Sequence, residues 1–248
     1  YYDDLVLYRT GIIDQAQYLN IIVENLNNVY KFAGVTQQSV ANSSLTSWVK
    51  YYRQDENSPN SIVSYYVKGS LVALCLDLLL RSKSQFSLDS VMLHLFKLWQ
   101  VNPIGVAEDE FPALIQAATG VDLAEFIQQA TETTEMLPYV ELLAQFGLDL
   151  TTRLAKNHQD SGKFNLSTAS AVPLVVGDLG AKLEKQALGY LVKNVYVDTP
   201  AERAGLAAND LIVALNQVKL TNLEKQLAFI QNGESIELTL FRQERLLT

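Results

Sequence analysis

The sequence predicts an α+β, multidomain chain: an α-helical region over residues 1–146, then a small β-rich domain with two helices over residues 147–248. Three observations carry this. Through the first part apolar residues recur at i, i+3, i+4 and i+7, the spacing that lines one face of a helix. From Gly147 the period falls toward two, and short runs rich in Val, Ile, Leu and Tyr are bounded by Gly, Pro, Asn and Asp. The composition, 48% hydrophobic and 19% charged over 248 residues, is that of a folded chain long enough for two cores.

Asp3 and Asp4 sit where a helix start favours acids. Asp14 caps a helix carrying Leu19, Ile22, Val23, Leu26, Val29 and Tyr30, and Gly34 is expected to close it. Trp48 to Asn60, WVKYYRQDENSPN, reads as a polar, aromatic loop because Pro59 and the asparagines oppose regular structure. SIVSYYVKGSLVALCLDLLLR, from Ser61 to Arg81, follows as a helix apolar on most faces and therefore central. Asp77 inside that run needs a partner. Ser87 starts a helix through Val91, Leu95 and Leu98 that Asn102-Pro103 ends. Glu108 to Ala118 forms another, stopped by Gly120, and Asp122 with Glu125 gives a capping signal for a segment ending near Thr131. Pro138 opens one more, ended by Gly147. Six or so helices are expected in all.

In the second part Leu148, Leu150 and Arg153-Leu154 alternate as a strand would, and residues 156–171 are a polar loop. Val172 to Val176, Gly189 to Val197, Asp210 to Leu215 and Ser235 to Phe241 read as strands. Pro200 to Ala204, stopped by Gly205, and Thr221 to Ile230, with a Thr221/Glu224 capping box, read as helices.

Composition also excludes. A net charge of −8 and a pI near 4.8 argue against a nucleic-acid partner. Leu71 to Leu80 is broken by Asp77 and too short for a membrane span. One cysteine forms no internal disulfide and leaves the compartment, cytoplasmic or periplasmic, undiagnosed. His94 and His158 lie far apart, without the helical His pair and adjoining Glu of a zinc peptidase, so this stretch carries no complete zinc site. Tyr1 stands where an initiator Met is absent, as in an excised piece. A non-enzyme and a piece of an enzyme are both open on these grounds.

VKNVYVDTPAERAGLAANDLIVALNQVKL resembles the core of a PDZ domain. Pro200, Ala201, Ala204, Gly205, Leu206, Asp210, Leu211, Ile212 and Asn216 occupy that family's turn and strand positions. The resemblance implies that an extended peptide adds beside a strand beginning near Leu179, with Leu179, Gly180, Ala181, Leu227 and Ile230 at the groove. Asp178 in the loop should repel a terminal carboxylate, so an internal segment is the expected occupant.

With that module behind it, YYDDLVLYRTGII and the stretch from Trp48 to Arg81 resemble the glycyl aminopeptidase family of zinc metallopeptidases. Tyr66-Val67-Lys68-Gly69 matches the Tyr-x-Lys-Gly element beside the metal in zinc aminopeptidases. The resemblance implies that Tyr66 donates to the oxyanion, with Tyr65 the competing phenol. Zinc would be held by the parent protein on ligands upstream of Tyr1, with none in this stretch. The substrate would be a peptide with a small N-terminal residue, Gly or Ala. Arg53, Asp55, Glu56 and Asn57 would line the substrate cleft or form a plain surface loop; of these Asn57 is the substrate-binding candidate. Lys68 would aid a substrate carboxylate or transition-state charge or, as favoured here, be a solvated lysine, and Gly69 is expected to allow close helix approach. The competing function is a non-catalytic helical-plus-PDZ adaptor or peptide-binding scaffold.

Overall fold

A computed structural model describes residues 1–153, 160–165, 177–231 and 233–248. The helical part runs α1 (Tyr2–Arg9), α2 (Gln15–Tyr30), α3 (Gly34–Gln37), α4 (Val40–Leu45), α5 (Ser58–Ser61), α6 (Tyr65–Lys83), α7 (Leu88–Val101), α8 (Phe111–Thr119), α9 (Ala124–Glu132) and α10 (Tyr139–Gln145). Helices α3, α4 and α5 are too short to show a period, and α1 sits at the start of the chain, which is why periodicity marks only about six.

The boundaries follow local chemistry. Asp14 and Gln17 form a reciprocal capping box at the start of α2, and Ser64 caps α6 by accepting from the Val67 amide. Gly120 ends α8 in the left-handed region at φ 74°. Gly34 does not close α2, whose last residue is Tyr30. It opens α3, because a Cβ there would stand 2.0 Å from the Ile62 carbonyl oxygen, and only glycine lets the two backbones meet. Asp122 bonds the Ala124 amide rather than completing a box with Glu125, and α8 begins at Phe111 rather than at the expected Glu108.

Helix α6 is central, as its composition requires. One side packs Leu71, Leu74 and Cys75 against Leu19, Ile22 and Leu26 of α2 and against Leu142 and Leu143 of α10. The other side packs Leu76 and Leu80 against Leu88, Val91, Ile115 and Leu123. Each such buried leucine contributes about 1.5–3 kcal/mol relative to exposure. Asp77, only 6% exposed, is held between the two clusters by the Tyr1 hydroxyl at 2.7 Å, Arg81 Nε at 2.8 Å and the Leu88 amide at 2.7 Å.

The expected strand at Leu148 and Leu150 does not form. Both side chains instead pack on the helical core. Residues 160–165 run beside α2, where the Phe164 amide donates to Asn20 Oδ1 at 2.9 Å. Leu154, His158, the expected strand Val172 to Val176 and most of the polar loop lie outside the described residues.

The second part is one antiparallel sheet of β1 (Ala181–Lys185), β2 (Tyr190–Val195), β3 (Leu211–Leu215), β4 (Val218–Lys219), β5 (Leu238–Arg242) and β6 (Arg245–Leu247). Its order is β1-β2-β3-β5-β6, with β4 on β3. Helices α11 (Pro200–Arg203) and α12 (Leu223–Leu227) interleave. The cap of α12 is Asn222, which accepts from the Lys225 amide, not Thr221, so the helix starts later and is shorter than its pattern implied. Val192, Ile212, Leu215 and Leu240 form the sheet's core with Leu206, Leu220 and Leu227. Buried Asp210 ties the sheet together through Arg242, with Oδ1–Nε 2.7 Å and Oδ2–Nη2 2.6 Å.

Candidate functional site

Tyr66 lies in the first turn of α6, 57% exposed. Its hydroxyl is 2.8 Å from the Tyr52 hydroxyl, which also lies 3.3 Å from that of Tyr65. The Tyr65 and Tyr66 rings are 4.2 Å apart, and Tyr51 packs against both while its hydroxyl meets the Ser64 cap at 3.2 Å. Trp48 packs on Tyr52 and continues the cluster outward. The polar, aromatic loop therefore folds back on the helix it precedes. Hydrogen bonding with Tyr52 holds the Tyr66 hydroxyl below the ordinary tyrosine range and raises that of Tyr65. Of the two neighbouring phenols, Tyr66 parts with its proton more readily.

Lys68 is not solvated. Two positions on in a helix lies toward the opposite face, and its side chain is 0% exposed with Nζ lacking a hydrogen-bond partner. Burial lowers its pKa. Gly69 makes no close helix approach; a Cβ there would meet nothing within 4 Å. His94 is half-exposed on α7.

Asn57 sits at the N-cap of α5, and its side-chain oxygen accepts from Asn60 Nδ2 at 3.0 Å. Asn60 itself carried no sequence signal, yet it joins the two parts of the chain. Its Nδ2 donates to the Val195 carbonyl at 2.8 Å and its Oδ1 accepts from the Val197 amide at 3.2 Å. Asn194 Nδ2 adds a bond to the Glu56 carbonyl at 2.9 Å, and the Phe32 and Tyr196 rings lie 5.0 Å apart. The sheet thus docks on the loop that leads into the Tyr66 helix.

At the expected peptide groove, β1 is an edge strand among the described strands. Leu179 and Leu227 are buried in the sheet's core, with Ala181 and Ile230 packed against it. Gly180 adopts φ 78° and could not carry a Cβ, which would stand 2.1 Å from Thr199. Its amide already has a partner, donating to Asp178 Oδ1 at 2.9 Å. The Asp178 carboxylate thus occupies an amide of the loop that precedes β1.

Residues 1–72 match the model of the M61 glycyl aminopeptidase family, and residues 191–242 match that of the PDZ domain. The chain carries an M61 glycyl aminopeptidase segment followed by a PDZ domain. A solved structure described as an aminopeptidase N family protein from Idiomarina loihiensis superposes with a TM-score of 0.88 at 35% identity. That match covers all of this chain and 42% of the other, so the chain spans less than half the length of that relative. No curated protein matches the chain. The M61 match ends within α6, just beyond Tyr66-Val67-Lys68-Gly69, and the PDZ match takes in β2 through β5.

Proposed function

We propose that this chain is the C-terminal part of a zinc-dependent aminopeptidase that removes small N-terminal residues such as Gly or Ala. The observation that carries it is the exposed Tyr66 hydroxyl, held at the start of α6 at 2.8 Å from the Tyr52 hydroxyl. Such a phenol can donate to a developing oxyanion, worth roughly 2.7–4 kcal/mol per donor. Tyr52 would hold the Tyr66 ring and hydroxyl in place, and Tyr65 would keep its own proton.

Among the described residues no group of three or more His, Cys, Asp or Glu could hold a metal. The residues of this chain would therefore act beside a metal held elsewhere in the longer protein. When bound there, zinc supplies an activated water. The PDZ domain would take an extended peptide along the free edge of β1, an internal segment rather than a C-terminus because of Asp178. The boundary between the two domains would fall at Gly147.

Full-length protein should hold one zinc per chain and hydrolyse glycyl and alanyl substrates, while residues 1–248 alone do neither. A full-length protein without metal and without hydrolysis would favour the adaptor alternative.

A further inference from the structure

Where the PDZ sheet meets the helical part there is a polar cleft of about 330 Å³. One wall is Gln54, Asp55 and Glu56; the other is Lys182, Lys193, Asn194 and the Ala208-Asn209 turn. Two features of the sheet build that second wall. Lys182 pairs with Asn194 and Leu183 with Val192, so Lys193 is an extra residue on β2, a bulge. Bulges re-aim a side chain, and here Lys193 joins Lys182 and Asn194 on the cleft instead of alternating away. Asn209 opposite takes a left-handed φ of 72°, while its amide donates to the Val192 carbonyl at 2.8 Å.

The two walls carry opposite charge, yet no ion pair crosses among the described residues. Lys193 reaches only Glu184 on its own sheet, at 3.9 Å. Asp55 spends one oxygen on the Asn57 amide and the Ser58 hydroxyl. Glu56 keeps its carboxylate exposed while its carbonyl is fixed by Asn194. Asp55 and Glu56 line one side of this open cleft and Lys182 and Lys193 the other, all four at exposed positions. A net-charged ligand would meet repulsion from one wall. A ligand with a cationic and an anionic end would meet none.

We infer that this cleft binds a small zwitterion, a free amino acid or dipeptide, with its ammonium on Asp55 and Glu56 and its carboxylate on Lys182 and Lys193. The ligand would bridge the two parts beside the Asn60 contacts and stiffen the loop leading to Tyr66. The site is made of residues other than the phenol cluster, and it needs neither metal nor hydrolysis.

Amide shifts in the 248-residue chain on titration with glycylglycine, N-acetylglycylglycine and glycylglycine amide test this. Free glycylglycine should shift residues 54–56, 182 and 193–194, and blocking either end should weaken binding at least about tenfold. Lys182→Gln and Glu56→Gln, both at exposed positions, should each weaken the free dipeptide several-fold. Equal binding of the three dipeptides, or no shift at these residues at tens of millimolar, overturns the inference. Either failure leaves the Tyr66 proposal untouched, and an inactive full-length protein would leave the cleft untouched.

Discussion

Replacing Asp77 with alanine should destabilise the helical part by removing a buried polar anchor. Its carboxylate holds Tyr1, Arg81 and the first amide of α7 together between two apolar clusters. In Asp77→Ala the Leu88 amide is left buried without its partner, a cost of about 1–3 kcal/mol. The Tyr1 hydroxyl, in a part-buried setting, adds roughly 1 kcal/mol by the same reasoning. Arg81 is exposed enough to turn to water, so its loss adds little. The sum is about 3 kcal/mol, or a fall in Tm of roughly 6–12 °C at this chain length. Thermal and urea unfolding of the two proteins measure it directly. A loss below about 1 kcal/mol would mean that water replaces the carboxylate and that the site is not closed.

Burial depresses the Lys68 pKa, so between that lowered value and the ordinary lysine value near 10.4 the unfolded chain binds more protons than the folded one, and stability should rise with pH across that window. Lys68→Met should flatten the rise and stabilise the chain at pH 7 by about 1–3 kcal/mol, read from urea midpoints at pH 7 and roughly 9.5; an unchanged slope would show that Lys68 stays charged when folded. On the PDZ domain, apolar peptides should shift the amides of Leu179 to Leu183 with little dependence on C-terminal amidation. Asp178→Ala should free the Gly180 amide and favour the unblocked carboxylate about tenfold, and a peptide that already requires its free carboxylate in the unmutated chain would refute the role given to Asp178.

Much of the helical part was legible because its signals are local. Asp14 and Ser87 mark helix starts through side-chain oxygens, Asn102-Pro103 marks an end through the proline's restriction of the residue before it, and Gly120 marks another through backbone freedom. Gly34 misled because its reason for being glycine lies in Ile62, far along the chain. The Leu148–Leu150 alternation misled likewise: two leucines spaced for a strand serve equally as two plugs against a helical core. Tyr66 stood out in the sequence through its element, but the Tyr52 hydroxyl beside it comes from a loop whose sequence says only that it is polar and aromatic. Lys68 looked solvated since lysine ordinarily is, although a helix apolar on most faces already pointed to burial around it. Asn60 and the Lys193 bulge depend on contact and register between distant segments, which no short pattern encodes.

The central claim is that Tyr66 donates to an oxyanion. Steady-state kinetics of Tyr66→Phe in the full-length protein, on a glycyl or alanyl substrate, tests it most directly. The expected result is kcat lower by about 10²–10³ with KM little changed, zinc content retained, and Tyr65→Phe far milder. A Tyr66→Phe rate within about twofold of the unmutated protein would contradict it and leave Tyr66 a packing residue of the aromatic cluster.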